Sequence, residues 1–174
     1  MDPLRNPFSP GAGAPPPELA GREKVIEAAT IALHRIRRGK PEKSQMLLGL
    51  RGVGKTVLLN KISDLAEGLG YQVVMLEAPE GQRLAQYLAP ALKSILLRLS
   101  KVEKAKDYAF RAIGALRGFA SAFKVSVGEV EVTVTEAPAA DSGNLEIDLP
   151  ELLVAIGQAA KAADSSVALL VDEV

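Results

Sequence analysis

The stretch from Gly49 to Thr56 constrains the fold of this chain more than any other segment. It reads Gly-Leu-Arg-Gly-Val-Gly-Lys-Thr and fits the pattern G-x-x-x-x-G-K-[ST]. The apolar run Met46–Leu48 precedes it and is predicted to be a buried strand, and apolar residues at helical spacing follow it. The sequence therefore predicts a strand, a glycine-rich turn and a helix in succession, which is the context in which this motif holds phosphate groups.

Each residue type in this stretch has a physical role in holding an anion. Glycines can adopt backbone angles that are closed to other residues, so that successive N–H groups point into one concavity. The N-terminus of the following helix adds unpaired N–H groups and the positive end of its dipole. Lys55 is predicted to reach the β- and γ-phosphates, and the Thr56 hydroxyl to ligate Mg²⁺. The predicted nucleotide contacts in this region are Gly49, Arg51, Gly52, Val53, Gly54, Lys55, Thr56 and Val57.

A second segment with candidate functional residues lies at the other end of the sequence. The apolar run Val167–Val171 is predicted to be a buried strand, and Asp172 and Glu173 follow it directly, which is the Walker B pattern. The pattern predicts that Asp172 acts on Mg²⁺, mainly through a water or Thr56. It also makes Glu173 a candidate general base for an attacking water. We therefore predict Lys55 and Glu173 as catalytic residues, and Thr56 and Asp172 as the metal ligands.

Composition excludes several classes of function. The chain has 174 residues, 48% hydrophobic and 24% charged, as in an ordinary soluble domain that can bury a core. Its formal net charge is +0, so no overall field favours nucleic acid or a membrane. The absence of Cys excludes disulfides and thiolate metal sites, and an aromatic content of 4% argues against a base-stacking platform. Because neither a signal peptide nor an apolar run of membrane length is recognisable, a cytoplasmic location is expected.

The remaining segments predict an arm followed by one domain. Residues 1–17 are rich in Pro and Gly and are predicted to be a flexible arm, and residues 18–174 are predicted to be the domain. A first helix is expected after Leu19–Glu23, as far as about Arg38, and a second after the glycine-rich turn. Residues 83 to about 123 are also expected to be helical, and Pro90 should kink or split the helix there. Tyr71–Leu76 is expected to be a strand.

Another helix is expected to begin at Asp148. Asp148 would be its cap, with Pro150 in the first turn and Glu151 completing a capping box. Basic residues crowd the end of the first helix. They could form a nucleic-acid patch, but we favour their interaction with the helix dipole. The same helix carries His34, which is expected at the surface.

Residues 124–135 change to an alternating pattern. Valines at every second position flank Gly128-Glu129, which suits a type II′ turn, so we predict a β-hairpin inserted between helices. The register places Val125, Val127, Val130 and Val132 on one face. That face could bind a protein partner, but packing against the chain's own helices is favoured.

Taken together, these features resemble the P-loop ATPases of the AAA+ and STAND type, near the origin-recognition and archaeal-ATPase branch. The likeness rests on Leu19–Glu23, the loop at 49–56, the segment Leu169–Glu173 and the order between them. It covers roughly residues 18–174 and implies a three-layer α/β fold, with an ASCE-type parallel sheet flanked by helices. It also implies ATP and Mg²⁺ as cofactors. The residues that it implies around the base pocket, through backbone and apolar groups, are Leu19, Gly21 and Arg22.

The resemblance also implies elements that are missing here. The family has the sheet order 5-1-4-3-2 and continues past Walker B with a sensor strand, further elements and an arginine finger. We therefore expect an N-terminal portion of a longer protein, incomplete at its C-terminus, with a gap in the sheet between the strands of the two motifs.

The function implied by the resemblance is that of an ATP-binding and ATP-hydrolysing module that acts as a switch or motor. Hydrolysis is expected in the full-length protein, whereas the present segment is expected to bind ATP and to hydrolyse it weakly or not at all, because the arginine finger and the sensor are absent. Two alternatives stay open: a nucleotide-binding signalling or scaffold protein with little turnover, and a P-loop small-molecule kinase. A protein partner could bind through the hairpin at 124–135 or through the missing C-terminal part. Nucleic-acid binding is not supported by this segment, and the oligomeric state stays open.

Overall fold

The structure, a computed structural model, describes residues 21–50, 52–78, 81, 83–126 and 140–172. They divide into two compact units, one ending at Gly70 and one beginning at Tyr71. The predicted arm at 1–17, Leu19, Arg51, Glu173 and most of the predicted hairpin lie outside the described residues. No helix of the described ranges is both long enough and apolar enough to cross a membrane.

In the described part of the first unit, α1 spans Glu23–Arg37 and α2 spans Lys55–Gly68. The predicted end of α1 is confirmed. Gly39 has a φ of 72° and its N–H donates to the Ile36 carbonyl at 2.8 Å, while the Lys40 N–H donates to the Arg35 carbonyl at 3.0 Å. Paired bonds of this kind, with glycine in the left-handed region, satisfy the last carbonyls of a helix.

One of the basic side chains at the end of α1 is paired with an acidic residue nearby. Arg35 forms an ion pair with Glu42, and His34 is exposed, as the sequence predicts. Cations in the last turn of a helix also interact favourably with its dipole. This geometry agrees with the electrostatic interpretation of the basic residues.

The strand predicted before the glycine-rich loop is not formed, so that prediction is wrong. Residues 40–50 have no regular secondary structure, and Met46, Leu48 and Leu50 are 80%, 82% and 82% exposed. A strand exists only when its N–H and C=O groups pair with a neighbour. Among the described residues, the only paired strands are β1 and β2 of the second unit. The hydrophobicity of Met46–Leu48 does not by itself provide the hydrogen-bonding partner strand that a strand requires.

The second unit contains a parallel pair of strands. β1 spans Tyr71–Glu77 and β2 spans Ser166–Asp172, and they run in register from Tyr71↔Ser166 to Glu77↔Asp172. Both strands are predicted from the sequence, and both are confirmed. The family order 5-1-4-3-2 counts the strand before the P-loop as strand 1. By that count β1 and β2 stand at the positions of strands 2 and 3, which are neighbours, so their pairing agrees with that order.

Helices cover one face of this pair. α3 spans Leu84–Leu99, a short 3₁₀ turn spans Glu103–Ala105, α4 spans Lys106–Ala122 and α5 spans Leu145–Ala162. α3 continues through Pro90 without a break. The predicted apolar stripes form the core; its largest fully buried hydrophobic side chains are Phe119, Leu92, Ile95, Leu96, Leu99, Ile113, Leu116, Leu152 and Ile156.

The predicted start of α5 is wrong by one turn. The N-cap is Asn144, whose Oδ1 accepts a hydrogen bond from the Glu146 N–H at 3.0 Å. Asp148 lies inside the helix and is only 1% exposed. Its carboxylate accepts hydrogen bonds from the Ser142 hydroxyl at 2.6 Å and from the Gly143 N–H at 2.8 Å. Asn144 therefore satisfies a donor of the first helical turn, whereas Asp148 satisfies donors of the two residues before the cap, and the sequence alone could not divide these roles between them.

The first residues of the predicted hairpin close α4 instead of starting a strand. Lys124 has a φ of 55°, and the Val125 N–H donates to the Ala120 carbonyl at 2.7 Å. This is the same type of helix ending as at Gly39, here with a lysine in the left-handed position. The hairpin residues from Val127 to Thr135 lie outside the described part of the chain.

Candidate functional site

The glycines of the loop at 49–56, the P-loop, have the conformations that its sequence predicts. Gly52 and Gly54 have φ values of 80° and 82°, in the left-handed region that side chains rarely adopt. Gly49 is constrained differently, because a Cβ atom there would come within 3.0 Å of the Val53 Cγ2 atom. α2 begins at Lys55, so the N–H groups of its first turn continue directly from the loop.

Lys55 folds back over the loop. Its Nζ atom donates hydrogen bonds to the carbonyl oxygens of Gly49 and Leu50, both at 2.9 Å. Lys55 is half-buried, and these two hydrogen bonds hold its ammonium close to the backbone of the loop. Thr56 and Val57 follow in the first turn of α2, and both are half-buried. The structure therefore brings Gly49, Gly52, Gly54, Lys55 and Thr56 together.

Arg22 contacts the same loop from the start of α1. One guanidinium nitrogen, Nη2, donates a hydrogen bond to the Val53 carbonyl at 2.8 Å. The backbone of Arg22 is fixed in turn, because its carbonyl accepts the N–H groups of Val25 and Ile26, each at 3.0 Å. The preceding Gly21 has a φ of 77°. The resemblance implied a position near the base for this segment, but no spacing rule predicted the contact with Val53.

In the second unit, Asp172 ends β2 and is 5% exposed. Its register partner at the end of β1 is Glu77, which is exposed. Paired residues of parallel strands project from the same face of a sheet, and successive residues alternate between faces. Val74, Leu76, Val167 and Leu169 pack against the helical core, so Asp172 and Glu77 belong to the opposite face.

Sequence reasoning missed Glu77. A signal for it existed: Glu77 follows the last apolar residue of its strand, as Asp172 follows Val171. The carboxyl ends of parallel strands are the usual position of ligands in open α/β sheets. Glu77 therefore belongs among the candidate polar residues at this edge of the sheet.

The residues present fit a polyphosphate group. The loop combines two left-handed glycines, a helix N-terminus and a lysine ammonium, and each of these favours an anion. The described residues contain no cluster of three or more His, Asp or Glu side chains that could hold a metal by themselves. Mg²⁺ at nucleotide sites is usually bound by one or two protein ligands together with phosphates and waters. The lack of a three-residue cluster among the described residues is therefore compatible with Mg²⁺.

The comparison with protein families agrees with this loop geometry. A family model described as AAA ATPase domain matches residues 18–174, which include the P-loop, β1 and β2. No curated protein and no solved structure matches the chain significantly. The match covers most of the sequence, and the family has the P-loop NTPase fold and binds nucleotides. The chain therefore belongs to the AAA ATPase domain family.

Proposed function

We propose that the chain binds ATP with Mg²⁺ through the P-loop, as the ATP-binding and ATP-hydrolysing module of a nucleotide-dependent switch or motor. Membership of the AAA ATPase domain family supports nucleotide binding. The observation that carries the proposal is the loop itself. Gly52 and Gly54 are left-handed immediately before α2, and Lys55 crosses the loop to the carbonyls of Gly49 and Leu50.

In this proposal the loop binds the phosphates by electrostatics. Backbone N–H groups of the loop and of the first turn of α2 donate to phosphate oxygens, and the helix dipole favours their charge. The Lys55 ammonium lies 2.9 Å from neutral carbonyl oxygens. A phosphate oxygen is a stronger acceptor because it is ionised, so Lys55 gains by contacting it.

The proposal assigns the metal and the attacking water to three further residues. The Thr56 hydroxyl and the Asp172 carboxylate, the latter mainly through a water or Thr56, would hold Mg²⁺, which when bound would neutralise charge on the β- and γ-phosphates. Glu173 accepts a proton from the attacking water. For Asp172 the support is its burial at the end of β2, and for Glu173 it is the position next to Asp172 in the sequence.

The proposal also covers the base. Backbone and apolar groups of Leu19, Gly21 and Arg22 line the adenine, in the manner of the origin-recognition and archaeal-ATPase branch. The support is the hydrogen bond from Arg22 to Val53, which holds the start of α1 at the P-loop. For Leu19, the only support is its position in the sequence motif at Leu19–Glu23.

Calorimetric titration with ATP, ADP and GTP, with and without Mg²⁺, tests nucleotide binding. Wild type should prefer adenine nucleotides, and Lys55→Ala should weaken ATP binding by about tenfold or more, since a charged hydrogen bond is lost. Lys61→Ala is the matched control, because Lys61 is an exposed lysine on the same helix. Equal ATP affinity in wild type and Lys55→Ala would contradict the proposal.

Phosphate release from ATP by the protein that carries this module tests hydrolysis separately. Glu173→Gln should retain ATP binding but lose turnover, because the amide cannot accept the proton of the attacking water. Asp172→Asn should raise the Mg²⁺ concentration needed for half-maximal binding. A Glu173→Gln variant with wild-type turnover would remove Glu173 from the proposal.

A further inference from the structure

The Val53–Gly54 peptide lies in a part of the loop where glycines leave the backbone little restrained by sterics. Val53 lies between Gly52 and Gly54, which have φ values of 80° and 82°. Glycine permits many backbone angles on both sides of φ = 0°, so sterics alone leave the peptides beside it free to rotate. An added Cβ atom at Gly52 or Gly54 would meet no atom within 4 Å, so glycine is required at these positions for its backbone angles and not for lack of space.

Arg22 supplies the missing restraint. Its Nη2 atom donates to the Val53 carbonyl oxygen at 2.8 Å. Arg22 is held by the N–H groups of Val25 and Ile26 at the start of α1, so the guanidinium reaches the loop from a rigid element. The bond joins residues that are 31 positions apart in the sequence, and α1 thereby becomes the support of the loop.

Planarity of the peptide transmits this restraint to a phosphate-binding donor. The Val53 C=O and the Gly54 N–H belong to one trans peptide and point in opposite directions. A guanidinium that holds the carbonyl on one side of the loop therefore fixes the Gly54 N–H on the other side. It also polarises the peptide, which makes the N–H a stronger donor.

We propose that Arg22 is a positioning residue of the P-loop, which acts through the Val53–Gly54 peptide to aim the Gly54 N–H at the nucleotide phosphates. This inference rests on the proposed function. It assigns to the Arg22 side chain a task different from lining the base, for which the backbone of Gly21 and Arg22 remains available. The phosphates concerned are those that ATP and ADP share, so both ligands depend on Arg22 equally.

The first test is the backbone amide spectrum of the protein without nucleotide. Arg22→Ala should shift the Gly54 ¹H–¹⁵N resonance, while resonances in the middle of α1 and α2 stay in place. Arg22→Lys, which retains one donor, should shift it less. Lys24→Ala is the control, since Lys24 is an exposed cation two positions further along. An unchanged Gly54 resonance in Arg22→Ala, or an equal shift in Lys24→Ala, would overturn the inference.

The second test is a titration of the same variants with ATP, ADP and GTP. Arg22→Ala should weaken ATP and ADP binding by the same factor, about tenfold, and leave the ratio of ATP to GTP affinity unchanged. Arg22→Lys should recover part of the loss. A fall in that ratio would identify a direct base contact and overturn the positioning role, as would wild-type affinity in Arg22→Ala. Wild type that binds no ATP would overturn the proposed function, whereas binding that needs Lys55 but not Arg22 would overturn the inference alone.

Discussion

The Leu58 N–H donates to the Gly54 carbonyl at 3.0 Å, so the hydrogen bonding of α2 starts from a residue with left-handed backbone angles, φ 82° and ψ 26°. A helix usually starts from an N-cap residue with an extended backbone. Here the chain changes from loop to helix at one glycine. The same residue therefore shapes the loop and begins α2.

Gly54→Ala should destabilise the protein by about 1–2 kcal/mol, because a Cβ atom disfavours the left-handed conformation. Gly68→Ala is a matched control on the same helix. Gly68 has no left-handed φ and no atom within 4 Å of an added Cβ atom, so alanine there should stabilise by about 0.5–1 kcal/mol. Urea unfolding followed by circular dichroism measures both. If Gly54→Ala had the same free energy of unfolding as wild type, the loop would not require this conformation.

Thr56 variants should separate metal binding from phosphate binding. Thr56→Ser retains a hydroxyl and should keep the Mg²⁺ dependence of ATP binding, whereas Thr56→Ala should abolish most of it. Binding of ATP without Mg²⁺ should change little in either variant. Titrations of ATP at several Mg²⁺ concentrations make the comparison. Full Mg²⁺ dependence in Thr56→Ala would exclude Thr56 as the ligand.

Asp148 should make stability depend on pH in acid. Burial by itself would raise the pKa of Asp148, but hydrogen bonds from Ser142, Gly143 and Asn144 outweigh it and lower the pKa below its ordinary value of 3.8. The unfolded chain then binds the proton more tightly than the folded one. The ionised carboxylate therefore stabilises the fold above pH 3.8, and this stabilisation is lost as the pH falls through the lower folded-state pKa.

Asp148→Asn tests this by melting curves from pH 7 down to pH 2. The variant should melt below wild type at pH 7, and the two should converge as the pH falls through the lowered folded-state pKa of Asp148. Asp141→Asn, a change at an exposed aspartate nearby, should follow wild type throughout. A difference between Asp148→Asn and wild type that stays constant over the whole range would show that the charge of Asp148 does not matter.

Phe119 should be among the most costly side chains to truncate in the described core. It is 0% exposed, and its ring centroid lies 4.7 Å from that of Phe123. Phe119→Ala should lower the free energy of unfolding by about 3–5 kcal/mol through lost burial and a cavity. Tyr108→Ala on the same helix removes an exposed ring and should cost about 0.5 kcal/mol or less. Similar losses in urea unfolding for the two variants would contradict this arrangement of the core.

The sequence predicted those structural features that depend on residues close together in the chain. The left-handed glycines of the P-loop follow from the motif, β1 and β2 follow from their apolar runs, and the buried stripes of α3 and α4 follow from helical periodicity. These features depend on neighbours along the chain, which the sequence displays directly. The parallel pairing of β1 with β2 agreed with the resemblance.

The features that the sequence did not predict depend on distant partners or on competition between neighbours. Met46–Leu48 has the hydrophobicity of a strand, but a strand needs a ladder that no local pattern guarantees. Asn144 and Asp148 both suit a helix start, and only the fold divides the role between them. The bond from Arg22 to Val53 likewise joins segments that no spacing rule relates.

The most direct test of the central claim is the affinity of one protein for ATP and for adenosine, measured by competition in the same Mg²⁺ buffer. If the loop at 49–56 binds phosphates, ATP should bind at least about a hundredfold more tightly than adenosine, and inorganic pyrophosphate should displace it. In Lys55→Ala the difference between ATP and adenosine should shrink. Equal affinities for ATP and adenosine in wild type would contradict the account, because the P-loop would then contribute nothing to binding.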